Sequence, residues 1–229
     1  MSSLLTFKNW RIYELVWLAT FSSIAIVLTI LWHDSWFGFS IFFTGVLCVV
    51  LAAKGHLYTY IFGMYNTLGY AYLSWINHLN GEVALYLLFF MPMNVFGFLM
   101  WKNKMNGNQV EMRSLPCRGL LLAISICIVG SLAVGVILAQ IPKQNTPYID
   151  ATTVVLSIVA TLLMVWRYKE QWLTYIALNV FTIIIWIYRF VHGAENSAMM
   201  IVMWSAFLLN AIYGYWNWHQ GTKKTGIER

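Results

Sequence analysis

Apolar residues run along this chain in eight long stretches, which short polar segments separate. A helix of about 20 apolar residues is long enough to cross the hydrocarbon core of a bilayer. The pattern therefore predicts an all-α integral membrane protein with eight transmembrane helices. The predicted spans are residues 12–33, 37–53, 57–78, 82–101, 117–141, 150–167, 172–192 and 197–218.

Two other membrane-related interpretations fit the pattern less well. Strands of an outer-membrane barrel alternate apolar and polar residues over about ten positions, whereas the run from Leu120 to Leu138 is continuously apolar. A cleavable signal peptide would end in a clear small-residue cleavage site. The first stretch lacks one and carries Glu14 and several tryptophans, so we expect it to be a retained helix.

Composition excludes a soluble globular protein. Of the 229 residues 60% are hydrophobic and only 10% are charged, whereas a soluble domain has about a quarter charged residues. The net charge of +6 arises from basic residues in short loops, so we predict no nucleic acid partner. The three cysteines lie in or beside apolar runs without paired spacing, which argues against a disulfide framework and against a zinc site.

The basic residues also predict the orientation. With eight crossings, both termini share one side of the membrane with the loops after the second, fourth and sixth helices. Twelve of the 14 Lys and Arg residues fall on that side, and only Lys143 and Arg189 fall on the other. Basic loops favour the cytoplasmic side, so both termini are predicted to be cytoplasmic.

An internal repeat organises the predicted helices. A shift of 115 residues superimposes Lys54 on Lys169, Trp101 on Trp216, and Thr59-Tyr60-Ile61 on Thr174-Tyr175-Ile176. One helix separates the two triplets, so both insert with the same orientation. The prediction is a parallel 3+1+3 repeat with an extra N-terminal helix. Its segments are 1–36 (tail and extra helix), 37–101 (first bundle), 102–149 (cytoplasmic loop and linker helix), 150–218 (second bundle) and 219–229 (tail).

Asparagines supply most of the polar side chains within the spans. Asn66, Asn94, Asn179 and Asn210 divide evenly between the two triplets. Each could simply hydrogen-bond two packed helices together. Four amides split between two halves also favour a shared substrate cavity, because polar groups in the membrane usually face protein or water. Trp186 lies seven residues after Asn179, on the same helix face, and could stack on a planar ring.

The absence of certain residue types from the spans limits the possible transport mechanisms. No carboxylate, His or Lys lies in the middle of a predicted span, although ion-coupled and proton-coupled pumps usually need one. The chain has no Walker loop, no zinc-protease motif and no Ser-His-Asp grouping. We therefore predict passive transport without cofactor or metal, and not an enzyme. Pro92 predicts a kink two residues before Asn94.

Taken in order, several short motifs resemble the PnuC family of bacterial nicotinamide riboside transporters, which is related in fold to the SWEET sugar transporters. The likeness covers nearly the whole chain. It rests on Tyr13-Glu14, Leu51-Ala52-Ala53-Lys54-Gly55, the run from Asn94 to Trp101, Asp150, Thr153, Ser157, Lys169-Glu170-Gln171-Trp172, Asn179 and Gly214-Tyr215-Trp216.

This resemblance implies a SWEET-like seven-helix core with an additional N-terminal helix, assembled as a homotrimer in the bacterial inner membrane. It implies facilitated diffusion of nicotinamide riboside by alternating access, with a cytoplasmic riboside kinase that traps the product. By analogy with the paired asparagines and tryptophans of SWEET proteins, Asn94 and Asn210 form one pair. Asn66, Asn179 and Trp186 complete the implied substrate site.

Two further hypotheses remain open at this stage. A related cationic vitamin or nucleoside, such as thiamine, would also suit an aromatic face with nearby amides. A membrane enzyme would show a polar cluster at one membrane face, and a structural subunit would not need polar residues balanced between two halves.

Overall fold

The computed structural model describes residues 10, 12–31, 36–76, 80–140, 146–192 and 197–224. Lys8, Arg11, Lys143 and Arg229 of the charge pattern lie outside these residues. The described part of the chain contains nine α-helices, and their order follows the predicted spans. They are α1 (Ile12–Leu31), α2 (Trp36–Lys54), α3 (Thr59–Ile76), α4 (Asn80–Leu85), α5 (Met91–Lys102), α6 (Cys117–Leu138), α7 (Pro147–Val165), α8 (Gln171–Val191) and α9 (Ser197–Lys224).

Five helical segments of the described chain are long and apolar enough to cross a membrane: Trp36–Lys54, Val83–Lys102, Cys117–Leu138, Pro147–Val165 and Gln171–Val191. The all-helical membrane class is therefore confirmed. Helices α3 and α9 are continuous, but their sequences include tyrosines and asparagines, such as Asn66 and Asn210, and are therefore less apolar. Eight crossings and the 3+1+3 order stay predictions.

The fourth predicted span is an α-helix with a wider turn inside it. A π-helical turn, Tyr86–Phe90, separates α4 from α5, and the Met91 N–H donates to the Tyr86 carbonyl five residues earlier. Pro92 follows directly. Its ring has no N–H to donate and would clash with the carbonyl four residues back in a regular α-helix. The irregularity that Pro92 predicted thus takes the form of a π-turn.

Contacts among the helices divide the chain into two compact units, Met1–Ala52 with Tyr58–Val95 and Ala53–Leu57 with Phe96–Arg229. In the first unit, α3 packs against α4 and the π-turn. In the second, α6 packs on α7, α7 on α8 and α8 on α9. Val155, Val159 and Leu163 form a buried stripe on α7, with Cys127 and Val134 of α6 packed against it. Their spacing of four residues places them on one helix face.

The linker before α6 is an ordered part of the second unit rather than a plain loop. It contains a short hairpin of β1 (Met105–Asn106) and β2 (Gln109–Val110). The Val110 N–H donates to the Gly55 carbonyl at 2.9 Å, and the Arg113 N–H donates to the Arg167 carbonyl at 2.8 Å. Gly55 and Arg167 both have positive φ, 69° and 67°. The linker therefore satisfies the turns that end α2 and α7.

Buried charges reinforce the turn after α7. The Arg167 guanidinium is 3.3 Å from the Glu111 carboxylate. The Glu170 carboxylate accepts hydrogen bonds from the Ser114 hydroxyl and from the Leu115 N–H, both at 3.0 Å. These bonds repay part of the strain of a left-handed arginine, because positive φ is unfavourable for residues with a Cβ.

Three tryptophans form the aromatic core of the second unit. The Trp101 and Trp218 ring centroids are 5.6 Å apart, and those of Trp172 and Trp218 are 6.3 Å apart. Trp172 is 3% exposed and Trp218 is fully buried. Both residues lie near the ends of predicted spans, a position that predicts an interfacial aromatic belt. This prediction is wrong for Trp172 and Trp218, because both rings pack against protein. Trp36 and Trp166 are exposed, as a belt requires.

Gly214 of α9 makes this packing possible. A Cβ at this position would lie 2.6 Å from three ring atoms of Trp172, and a rigid indole cannot move aside without disturbing its neighbours. We expect Gly214→Ala to destabilise the protein by about 1–3 kcal/mol, which lowers the melting temperature by roughly 2–12 °C. Thermal unfolding in detergent measures the shift.

Gly119→Ala is the matched control. A Cβ at Gly119 would lie 3.2 Å from the Leu115 Cδ2 and 3.3 Å from the Pro116 Cδ, contacts that a shift of a few tenths of an ångström relieves, unlike the 2.6 Å at Gly214. This variant should melt close to the wild type. Equal melting temperatures for the two variants and the wild type would contradict the tight packing of α9 against Trp172.

Candidate functional site

Asn66 links two helices of the first unit. Its Nδ2 donates to the Ile41 carbonyl of α2 at 2.7 Å, and a Cβ at Gly45 would lie 2.8 Å from the same nitrogen. The glycine leaves a notch that the amide fills. Half of the Asn66 amide is therefore used for helix packing, while its Oδ1 accepts no hydrogen bond within the described residues.

Asn94 repeats this arrangement between α5 and α3. Its Nδ2 donates to the Thr67 hydroxyl at 3.0 Å and to the Phe90 carbonyl at 2.9 Å. Its Oδ1 lies 2.5 Å from the position of a Cβ at Gly63. The interpretation as an interhelical hydrogen bond, which the sequence left open, thus applies to the N–H groups of Asn66 and Asn94.

Asn179 of α8, in contrast, does not hydrogen-bond to a neighbouring helix among the described residues. It is 4% exposed, yet no hydrogen bond joins its side chain to any described residue. Its amide atoms are not completely buried, so they keep a small accessible surface although the residue as a whole is buried. Among the predicted asparagines, Asn179 is the buried residue whose amide has no hydrogen-bond partner among the described residues.

Asn210 and Trp186 complete the predicted set within the second unit. Asn210 lies in α9, is 7% exposed and has polar interactions of its own. Trp186 of α8 is half-buried, and the Arg189 guanidinium lies 4.8 Å from its ring centroid. The ring thus already holds a cation, which shows that this aromatic face can receive one.

Helix α8 carries these groups on a single face. At 100° per residue, the five residues of this face, which are named below, fall within about 80° of one another around the helix axis. Asn179 and Trp186 are therefore on one stripe, as the sequence predicted. The polar face of α8 comprises Gln171, Tyr175, Asn179, Thr182 and Trp186.

Sequence analysis missed three contributors. Gln171 was grouped with the polar segment before the helix, although it is fully buried. Thr67 was not considered, yet it accepts the Asn94 hydrogen bond. Arg189 was used only for orientation, yet it covers Trp186. Helical spacing extended backwards from Asn179 by four and eight residues would have revealed Gln171.

An open apolar cavity of about 640 Å³ lies in the first unit, lined by Phe37, Tyr72, Leu73 and Ile76. None of the predicted amides lines it. It lacks the convergent polar groups that characterise small-molecule sites, so the chemistry of the candidate site rests on the asparagines and on the α8 face rather than on this cavity.

Comparisons with known proteins agree with this picture. The sequence model of a family described as nicotinamide mononucleotide transporter matches residues 35–220. The nicotinamide riboside transporter PnuC of Neisseria mucosa is 35% identical over 95% of this chain and 85% of its own length. PnuC of Haemophilus influenzae is 34% identical over 95% of this chain and 94% of its own.

A solved structure also matches. The crystal structure of the vitamin B3 transporter PnuC superimposes with a TM-score of 0.78 and 35% sequence identity, covering 95% of each chain. Together with the apolar helices and their buried amides, these findings define a membrane transporter and not an enzyme. The chain belongs to the nicotinamide mononucleotide transporter family.

The different states of Asn66 and Asn179 predict opposite effects on stability. Asn66→Leu removes an interhelical hydrogen bond worth about 1 kcal/mol, which should lower the melting temperature by roughly 2–4 °C. Asn179→Leu removes an unpartnered amide of similar volume, so the melting temperature should stay equal or rise. Thermal unfolding of both variants without substrate makes the comparison. A larger loss at Asn179 would show that its amide is needed for folding.

Proposed function

We propose that this protein carries nicotinamide riboside across the bacterial cytoplasmic membrane by facilitated diffusion, as a uniporter working by alternating access. The observation that supports this most directly is the position on one face of α8 of the Asn179 amide, which has no hydrogen-bond partner among the described residues, and of the Trp186 ring. The two related proteins named as nicotinamide riboside transporters support the same substrate.

The chemistry of the substrate fits these two residues. Nicotinamide riboside has a pyridinium ring with a fixed positive charge, a carboxamide and a ribose. An indole face attracts such a cation through its ring quadrupole. An asparagine amide both donates to and accepts from a carboxamide. The Arg189 guanidinium occupies a face of this ring in the structure, so the substrate cation takes its place when the arginine moves away. The ring then compensates the charge of the substrate, and the site needs no carboxylate.

The same residues favour the riboside over the mononucleotide that appears in the family description. A phosphate group calls for Arg or Lys, which bind it through charge-assisted hydrogen bonds. The polar face of α8 has amide, hydroxyl and aromatic groups, and Arg189 near its C-terminal end is the basic residue within the helix. That single arginine already contacts Trp186.

Asn66, Asn94 and Asn210 belong to the same proposal. The Oδ1 atom of Asn66 remains as an acceptor for a ribose hydroxyl group, while the N–H groups of Asn66 and Asn94 hold the helices. The proposal also includes a homotrimer, cytoplasmic termini and a cytoplasmic kinase that phosphorylates the imported riboside. Phosphorylation adds negative charge, so the product cannot leave by the same route and uptake continues downhill.

Uptake into liposomes tests the function. Purified protein in liposomes should equilibrate labelled nicotinamide riboside without ATP and without an ion or proton gradient. Excess unlabelled riboside should compete, whereas the mononucleotide and thiamine should compete weakly. Uptake that depends on an imposed gradient would contradict uniport, and stronger competition by the mononucleotide or by thiamine would reassign the substrate.

Two variants test the site. Asn179→Leu and Trp186→Leu should each weaken riboside binding by about tenfold, the loss expected from one buried hydrogen bond or one cation–π contact. Isothermal titration calorimetry measures the affinity. Trp166→Leu is the matched control, since it removes an exposed tryptophan near a helix end. Wild-type affinity in both site variants would refute this location.

A further inference from the structure

Gln171 is a fully buried amide without partners. The side chain is 0% exposed, and neither its Nε2 nor its Oε1 makes a hydrogen bond. Trp172 follows it and also has a buried indole N–H without a partner. Native proteins leave few buried polar groups unsatisfied, so three such atoms in one turn of one helix require an explanation.

Gln171 lies in line with the proposed substrate groups. It precedes Asn179 by eight residues and Trp186 by fifteen, on the same face of α8. At a rise of 1.5 Å per residue, it is about 12 Å along the helix from Asn179. Tyr175 lies between the two amides on this face. The polar face therefore has an unpartnered amide at its N-terminal end as well as near its centre.

The N-terminal end of α8 is closed in this structure. The segment before the helix is buried, with Arg167, Lys169 and Glu170 each 6–7% exposed. Trp172 packs in the aromatic core with Trp218, and its ring fills the space that Gly214 leaves. No solvent or ligand reaches the Gln171 amide until this end opens.

We propose that Gln171 is a second amide-binding site for the transported substrate, at the end of α8 opposite Trp186, which becomes accessible when this end opens. The proposal rests on the function proposed above and adds a residue and a step to it. A glutamine amide and a carboxamide can form two hydrogen bonds with each other. The carboxamide leaves the Asn179 amide and is received about 12 Å further along the helix by an equivalent group, so both positions offer it the same hydrogen bonds.

The unpartnered state of Gln171 also favours opening. In the closed state the amide lacks the hydrogen bonds that water or a ligand would supply, so the closed state is destabilised relative to an open one. A residue kept for packing alone would be better replaced by an apolar side chain of the same size. Stability and transport should therefore respond in opposite directions when the amide is removed.

Gln171→Met tests the inference, because methionine keeps the length of the side chain without the amide. We expect a melting temperature that is unchanged or higher, a riboside affinity within about twofold of wild type, and a maximal uptake rate in liposomes reduced by about tenfold. Calorimetry with nicotinamide riboside and initial uptake rates at saturating riboside supply the two readouts.

Ser131→Ala is the matched control. Ser131 of α6 also has a buried hydroxyl without a hydrogen bond, but it lies outside the α8 face. This variant should transport at the wild-type rate. A Gln171→Met protein that transports like wild type overturns the inference and identifies the amide as a group satisfied by buried water.

The remaining outcomes are also decisive. If Gln171→Met fails to fold, Gln171→Ala is tested in its place, and failure of both shows that the amide serves folding, which overturns the inference. If wild-type protein takes up no riboside, the proposed function itself has failed. Normal wild-type uptake with normal uptake by the Gln171 variant refutes only the second site.

Discussion

The structure depends on one constraint: an amide placed among helices in a membrane has no bulk water to satisfy it. The chain meets this constraint in two ways. Asn66 and Asn94 point their N–H groups at acceptors on neighbouring helices. Asn179 and Gln171 do not, although both are buried. The first pair stabilises packing, whereas the second pair has no hydrogen-bond partner among the described residues.

Glycines determine where an asparagine can hydrogen-bond to a neighbouring helix. Asn66 fits against Gly45 and Asn94 against Gly63, in notches that any Cβ would fill. Close approach of small residues is how membrane helices gain packing and hydrogen bonds together. On α9, Gly214 serves an aromatic ring instead of an amide. Close packing against a glycine thus allows polar contacts in the first unit and the aromatic core in the second.

Hydrophobic periodicity predicted the helices well because each span has to satisfy its own backbone. The described helix bounds follow the predicted spans, although α9 continues to Lys224 rather than ending at 218. The linker hairpin was not predicted, because its hydrogen bonds to Gly55 and Arg167 join residues more than 50 positions apart. Trp172 and Trp218 were misplaced because position near a span end does not distinguish an indole that faces lipid from one that packs on protein.

The residue types of the candidate site could be predicted from the sequence, but the hydrogen-bond partners of each residue could not. Sequence treated the four asparagines as equivalent, and only the positions of Ile41 and Thr67 reveal that two of them already have partners. Gln171 was not predicted as a site residue because it begins a helix, where a polar residue is expected to face solvent. It is buried together with the segment from Arg167 to Glu170, which hydrogen-bonds to the linker, and such long-range contacts have no local signal.

The two unpartnered amides of α8 destabilise the folded state, and other interactions of the second unit offset this loss of folding free energy. The linker contributes backbone hydrogen bonds at the ends of α2 and α7, and Glu170 accepts two more beside Gln171. Aromatic packing of Trp101, Trp172 and Trp218 adds buried apolar area at the same end of α8. In the transport cycle proposed above, stabilisation next to an unsatisfied amide suits a closure that must form and open again. Packing stabilises the closed state, while the unsatisfied amide raises its free energy towards that of the open state.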